Sequence, residues 1–600
     1  MATTATSAST ATPVSKASYW LLGSLLLVML ATLVAYHQVD RPLTGIDDAN
    51  IFFTYGQHFS QGDGFIYYQG GERVEGFTSL LWTIVCSLCF LLTSHPEPLL
   101  LAINIILLSG TIQLVIRFLQ TSGATETHSR RIHFFILPVA LWAWCLLNPK
   151  FVIWATITLM DLGLWCFALT AGTLAFARAA TSRSPLSRSN SYSLCGYLAL
   201  ALLTRPEAML LGLVWLLGLL LGRHLSRSLD SSSDSASVTG QFGLALRDCR
   251  IPALAYLLIL AGLTGFRLLY FGYPLPNTFY AKVSPNLLYN MKLGLGYLRG
   301  FFLDQFWAVI CCTIVGLRTC RLLAVSFGWI RSPRFLPQSG QLLAIDFIAL
   351  TVTASISATI LTGGDHFALY RFFQPIWPLL FIAGFLPLFL WLADRISAQP
   401  KWLSVLLFSL LVSTFYCSQK PWWNQVSSDI QHEFDLARGG RELGNQLNQL
   451  LPAEKNISLG IITTGGIGYT YRGPLLDLMG LNNVRMGHSP GDRRGNKNHA
   501  AFNSSVFFEL SPDLVDPRFV ADPLPQSRQD LIPNRGSFWD GALQHVHYSK
   551  PFHDLYRATL ITCPQSPGQP RTISAWCKPA VIAYLVQQGI AVRVLPASGE

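Results

Sequence analysis

Two adjacent carboxylates, Asp47 and Asp48, stand near the start of the segment TGIDDANIFFTYGQHFSQGDGFIYYQGGERVEGFTSLLW at residues 44–82, shortly beyond the first long apolar run. A carboxylate held at a membrane surface could act as a general base and take a proton from an acceptor hydroxyl. The competing reading is structural, because acids in the first turn of a helix are stabilised by the macrodipole. Further ionisable groups lie between apolar stretches. Asp161 sits in LMDLG, Arg205 and Glu207 in LTRPE, Lys282 at the end of RLLYFGYPLPNTFYAK, and Asp365, His366 and Arg371 in GGDHFALYRF. Such residues are costly at membrane depth and face a cavity or a partner. Arg and Lys are the side chains that hold phosphate, which makes Arg205, Lys282 and Arg371 a candidate anion site with His366 beside it. An ion-paired Arg205 and a merely hydrogen-bonded His366 are the structural alternatives. Glu75 and Asn277 are further polar candidates. No metal ligands are assigned, and a divalent cation is left open as a cofactor.

The elements that must position these groups are membrane helices. The chain has 600 residues, 51% hydrophobic and only 12% charged, against about 25% charged in soluble domains. That composition excludes a string of soluble domains, a disordered chain and a disulfide scaffold. The net charge of +11 is explained by basic cytoplasmic loops, with no nucleic acid as partner. Residues 1–17 read as a disordered cytoplasmic tail, and 18–36 as an uncleaved first helix. Further candidate spans lie at 78–94, 98–117, 132–148, 149–160, 162–177, 193–203, 207–222, 251–271, 298–317, 342–361, 371–394 and 402–417. Of these, 149–160, 193–203 and 207–222 are short and need not be full crossings. The loops 178–192 (Arg178, Arg183, Arg188) and 318–341 (Arg318, Arg321, Arg331, Arg334) carry no acid, so the positive-inside rule places them in the cytoplasm. Loop 37–77, the GGDH segment and everything after 418 then fall outside, although Arg117, Arg130 and Arg131 count against this alternation. Residues 418–600 turn polar, with an amphipathic stretch (SSDIQHEFDLARGGRELGNQLNQLL), a strand-like ISLGIITT and many turn residues. They are expected to form a soluble extracytoplasmic α/β domain behind a transmembrane domain at 18–417. Cys563 and Cys577 are the only cysteine pair there, and an oxidising compartment would bond them.

The motifs together resemble a known family. DDANIFFTYGQHFSQGDGFIYYQGGERVEGFTSLLW looks like the first-loop signature of bacterial GT-C glycosyltransferases, whose best-known members are the mycobacterial terminal β-(1→2) arabinofuranosyltransferases. The similarity continues through TRPEA, RLLYFGYPLPNTFYAK, GGDHFALYRFFQP, GGIGYTYRGPLLDLMGLNN and SPDLV, in a consistent order along most of the chain. Near 157–162 the family pattern has Gly-Leu-Glu where this chain reads TLMDL, so Asp161 keeps the acid in altered surroundings. The apolar runs give an α-helical polytopic membrane protein of about 11–13 transmembrane helices, and the resemblance implies that it is of the GT-C type in a bacterial cytoplasmic (inner) membrane. It implies an inverting transfer of a sugar, a pentofuranose such as arabinofuranose, from a polyprenyl-phosphate donor to a hydroxyl of an extracytoplasmic glycan or glycoprotein. The family's first-loop aspartate falls on the Asp47–Asp48 pair, with Asp47 narrowly favoured as base because it comes first. The absence of GxxxxGK[ST] and of a strand-linked GxGxxG suits a lipid-linked donor. The rival readings are a lipid-linked oligosaccharide ligase and a transporter or flippase. Transporters place their polar sites at the midplane, whereas these groups gather at one face.

Overall fold

The apolar runs of the first two thirds of the chain fold into a helical bundle, and the polar remainder folds onto a single mixed sheet. The protein is a multi-pass α-helical membrane protein with a C-terminal sheet domain. The structure is a computed structural model and describes residues 16–122, 135–182, 184–228, 238–327, 329, 340–396, 422–563 and 571–597. Among the described residues, 8 helices are long and apolar enough to cross a membrane: Ser18–Val39, Glu97–Thr121, Leu162–Thr181, Ala208–Ser226, Phe242–Tyr270, Phe306–Ser326, Gly340–Leu361 and Ala368–Trp391. Leu22, Leu26, Leu30 and Leu33 of the first span are exposed, as a lipid-facing helix requires.

Several expected spans take a different form. The run 78–94 yields only the 11-residue helix Leu80–Phe90, too short to cross. The runs 132–148 and 149–160 are not two crossings but one bent pair, Leu137–Leu146 and Pro149–Ala155, at 76°. Pro149 cannot donate to a continuing ladder, and the Asn148 side chain instead caps a fresh helix by accepting the Phe151 N–H (3.4 Å). The run 193–203 lies in Arg188–Thr204, whose first turns are polar and which falls short of a span. By contrast 207–222, read as a short internal piece, belongs to a helix of crossing length. The run 298–317 divides at Gln305 into Leu287–Asp304 and Phe306–Ser326. The span expected at 402–417 lies outside the described residues.

The sheet has six strands, β1 (Leu459–Ile461), β2 (Leu475–Asp477), β3 (Leu514–Val520), β4 (Arg557–Thr562), β5 (Thr572–Cys577) and β6 (Val592–Val594), in the order β2-β1-β3-β5-β4-β6. β1 pairs parallel with β2 and β3, and the remaining pairs are antiparallel. The register corrects the expected disulfide. Cys577 stands opposite Arg557 in the β4–β5 ladder, while Cys563 follows Thr562 at the other end and donates its N–H to Arg571 O (2.9 Å). Six residues of strand at about 3.4 Å each separate them by roughly 20 Å, whereas a bridge needs Cα atoms within about 7 Å. Both thiols are free and buried.

One shared core fixes the C-terminal domain onto the bundle. Phe52, Phe53 and Tyr55 of the first loop, Val426, Ile430 and Phe434 of the helix Trp422–Leu450, and Leu459, Ile461 and Leu514 of the sheet belong to a single buried cluster. Val515, Ala558, Leu560 and Trp576 line the other face of the sheet, the alternation expected of strands. Polar pins add direction to the contact. Arg441 donates to Asn50 Oδ1 (2.6 Å), Glu97 Oε1 (2.6 Å) and Thr44 O (3.1 Å). Tyr67 Oη donates to Thr464 O (2.6 Å), and Tyr55 Oη to Asn482 Oδ1 (3.0 Å). Loop 37–77 and the C-terminal domain therefore lie on one side of the bundle.

Candidate active site

The helix Asp47–Gln61 begins with the two acids and ends at Gly62, whose left-handed φ of 90° lets its N–H reach His58 O and Phe59 O. Glycine suits that position because it carries no Cβ. The neighbouring carboxylates part company at once. Asp47 is buried, and its two oxygens accept the N–H groups of Gly465 (3.0 Å) and Gly466 (2.8 Å). A Cβ at Gly465 would meet Asp47 O at 1.8 Å, so only glycine allows this approach. Burial raises the Asp47 pKa to about 6, with the two N–H groups pulling it down and Asp48 pushing it up. Asp48 turns to the bundle side, where Arg371 Nη1 (3.7 Å) and Lys282 Nζ (3.9 Å) face its Oδ2. The acid favoured as base from the sequence is thus the one committed to backbone.

Arg371 is aimed by the chain entering the last described span. Leu369 and Tyr370 take left-handed φ of 64° and 53°, a conformation that costs non-glycine residues roughly 1–3 kcal/mol and clusters at functional sites. The buried guanidinium then lies over the rings of Phe367 (4.3 Å), Phe372 (5.0 Å) and Trp154 (5.6 Å). Its Nε pairs with Asp365 Oδ2 (2.7 Å). Asp365 also accepts the His366 N–H (2.9 Å) and Asn498 Nδ2 (2.9 Å) on Oδ1. Burial alone would raise the Asp365 carboxyl, but Arg371, with His366 and Lys282, holds it well below the usual carboxylate range. Asp365 and His366 thus brace the arginine, and Asn498 Nδ2 also lies 2.8 Å from His366 Nδ1.

Asp48, Lys282 and Asn498 stand where two cavities meet. One, of about 340 Å³, is polar and opens toward the C-terminal domain between Asp47, His366, His432, Glu433, His499 and Trp539. The other, of about 360 Å³, is a mainly apolar groove among Met160, Met209, Leu210, Phe279, Leu361 and Phe372, with Arg205, Glu207, Arg371 and Lys497 on its wall. Arg205 is buried against Asp161 (Nε to Oδ2 2.8 Å, Nη2 to Oδ1 3.1 Å), with Glu207 at 3.9 Å. Its guanidinium flanks the same Phe372 ring as Arg371, at 5.9 Å. The structure therefore brings Asp48, Lys282, Asp365, His366, Arg371, Arg205, Asp161 and Glu207 around one junction. Two candidates do other work. Glu75 is locked to Arg267 (Nε to Oε2 2.8 Å, Nη2 to Oε1 2.9 Å). Asn277 Nδ2 donates to Gly480 O (2.7 Å) and Leu481 O (2.9 Å), which holds the C-terminal domain down. Among the described residues no group of three or more His, Cys, Asp or Glu is arranged to hold a metal ion.

Sequence reasoning missed the groups supplied by the C-terminal domain. Glu433 lies on the stripe of Val426, Ile430 and Ala437 that packs the long helix down, and an acid at that spacing was the signal available. Burial first, then Asp48 and Asp47, push its carboxyl up to about 8. Lys497 donates to Thr362 O (2.8 Å) and is lowered to about 8 by burial. Burial, with His366 beside it, lowers His499 to about 4, and its ring meets those of His366 (4.8 Å) and Phe538 (5.1 Å) edge-on. The NKNH run at 496–499 is polar but carries no pattern that marks it in advance.

No protein-family model matches the chain, and no curated protein matches it. Among solved structures it is similar to the archaeal oligosaccharyltransferase AglB from Archaeoglobus fulgidus, determined in complex with an inhibitory peptide and a dolichol-phosphate. The TM-score is 0.43 at 14% identity, over 93% of this chain and 74% of that one.

Proposed function

We propose that the protein is a membrane glycosyltransferase of the GT-C type, which moves a sugar from a polyprenyl-phosphate donor to a hydroxyl of an extracytoplasmic acceptor. The observation that carries this reading is the junction itself. An apolar groove walled by cations meets a polar cavity, and a single carboxylate, Asp48, stands at the meeting point. A prenyl chain suits the groove, its phosphate suits Lys282, Arg371 and Arg205, and the acceptor suits the polar side. In the step, Asp48 takes the proton from the acceptor hydroxyl, the acceptor oxygen bonds to the anomeric carbon, and the bond from that carbon to the phosphate oxygen breaks. The electron pair leaves on the lipid phosphate, where fixed cations stabilise charge that grows in the transition state. Attack from the face opposite the leaving group inverts the anomeric centre. By resemblance, the sugar is a pentofuranose such as arabinofuranose, and the membrane is a bacterial inner membrane.

The test is incubation of the purified chain in nanodiscs with a panel of polyprenyl-phosphate pentoses and hexoses and glycan acceptors, with products identified by mass. Transfer from at least one pentose donor, with release of the lipid phosphate, is expected. A chain that binds none of the donors and releases no lipid phosphate would sink the proposal.

A further inference from the structure

The polar cavity does not end at the reacting groups. A second cavity of about 620 Å³ runs on from it between the helix Trp422–Leu450 and the sheet, and both are lined by His432, Leu436, Ile462, Thr463 and Trp539. Each has the size of a small-molecule site, so the pair forms one cleft leading away from Asp48 along the C-terminal domain.

Two features of the cleft are unexplained by packing. The first is Gly439. A glycine inside a helix costs about 1 kcal/mol against alanine. Its neighbour Gly440 has a packing reason, since a Cβ there would meet the backbone N of Ile467 at 2.8 Å. Gly439 has none, because a Cβ there would meet nothing within 4 Å, and the residue lines the cleft. Its lack of a side chain keeps the channel open. The second is a bulge in β3, where the pairing with β5 shifts register between Val515 and Arg518. Within it Asp516 takes a left-handed φ of 48° and lines the cavity. Bulges re-aim a side chain and are over-represented beside functional sites.

We propose that this cleft binds an extended, neutral oligosaccharide, so that the acceptor is a glycan chain held over several sugar units and its terminal hydroxyl is presented to Asp48. The inference rests on the glycosyltransfer reading above. Trp539 and Phe519 offer ring faces for sugar rings, and Asp435, Asp516, Asn534 and Ser537 offer hydrogen bonds to hydroxyls. The wall carries acids together with Arg518 and His432, a mixture that favours no charged polymer. A peptide is disfavoured by the strand that lines the cleft. Extended peptides add to regular strand edges, whereas β3 pairs with β1 only at Leu514 and Val515 and is then broken by the bulge, with Asp516 left-handed and Pro517 lacking an N–H to donate.

The test uses the full chain in nanodiscs with the donor that it consumes, neutral pentose and hexose oligosaccharides of one to four units, and a serine-containing peptide. Transfer rate and oligomer binding by tryptophan fluorescence are both read. For the wild type, kcat/KM should rise about tenfold for each bound unit, the equivalent of one or two hydrogen bonds. Gly439→Leu, which favours the helix and fills the channel, and Asp516→Asn, which tolerates the same φ, should flatten that rise while leaving the one-unit acceptor unchanged. A rate and affinity independent of length, a preference for the peptide, or no oligomer binding while the donor is hydrolysed would each overturn the inference. Failure to release lipid phosphate from any donor would instead refute the glycosyltransfer reading.

Discussion

Exchanging Asp47 and Asp48 for asparagine, one at a time, should separate architecture from chemistry. In Asp47→Asn the side chain offers one oxygen where the carboxylate offered two, so one of the Gly465 and Gly466 N–H groups is left without an acceptor. An orphaned buried donor costs about 1–3 kcal/mol. Against this, the native carboxylate is itself held at a cost, since burial raises its pKa from 3.8 to about 6. A shift of about two units is worth about 3 kcal/mol by linkage at pH 7, and about half of that at pH 5. The sign follows from the raised folded-state value. The Asp47 contribution to stability is fully present below the unfolded pKa near 4 and is lost as pH rises through about 6. At pH 7 the two terms nearly cancel, so Asp47→Asn should melt close to wild type. At pH 5 it should fall behind by about a further 1 kcal/mol, read as a widening Tm gap in nanodiscs. Turnover of the folded variant should stay within about tenfold of wild type. Asp48→Asn should keep its Tm and its donor binding and lose 10² to about 10⁴ in kcat, the general-base range. The reverse pattern, with Asp47→Asn inactive and Asp48→Asn active, would refute the assignment of Asp48 as base.

Arg371→Ala should lower kcat/KM by about 30- to 1,000-fold, the 2–4 kcal/mol lost with one charge-stabilising group, and near-wild-type turnover would remove Arg371 from the site. Above neutral pH the rate should fall through two titrations near 8. Burial, then Asp48 and Asp47, raise Glu433 to about 8 so that it gains a negative charge there, and Lys497, lowered to about 8 by burial, loses its positive one. The other ionisable groups facing the cavity are Asp365, His366, Arg371, Lys282, His432 and His499. Glu433→Gln should retain the neutral-pH rate and halve the steepness of that alkaline fall, and an unchanged slope would exclude Glu433. Thiol mapping without reductant should find Cys563 and Cys577 both free, and replacing both by serine should not expose a lost cross-link in mobility on non-reducing gels.

What was legible in the sequence followed from composition and from residue type. Length and apolarity marked the spans that survive as spans, because a membrane helix must satisfy its backbone within the segment. Charged residues between apolar stretches marked Arg205, Lys282 and Arg371, because such charges persist only where something holds them. The failures share a cause in tertiary placement. Nothing local says that Pro149 breaks one span rather than separating two, since the alternative cap from Asn148 matters only once the chain bends. Strand register is likewise invisible in spacing, so Cys563 and Cys577 looked like partners although the antiparallel ladder sets them at opposite ends. Glu433, Lys497, Asn498 and His499 belong to a different part of the chain from the first loop, and only docking of the C-terminal domain brings them over Asp48.

That docking also explains why the second acid, and not the first, is left facing the cations. Successive residues on a helix project about 100° apart, so Asp47 and Asp48 cannot face the same partner. The glycine pair Gly465–Gly466 approaches closely enough to take both oxygens of Asp47, and Gly465 can do so only because it lacks a Cβ. Once Asp47 is latched, the helix cannot rotate, and Asp48 is left pointing at Lys282 and Arg371. A single helix therefore carries both the latch to the C-terminal domain and the carboxylate proposed as the base. Bulk at Gly465 should consequently displace Asp48 without touching it. Gly465→Ala should lower kcat well before it weakens donor binding, whereas a variant of the groove wall, such as Met209→Ala, should do the opposite.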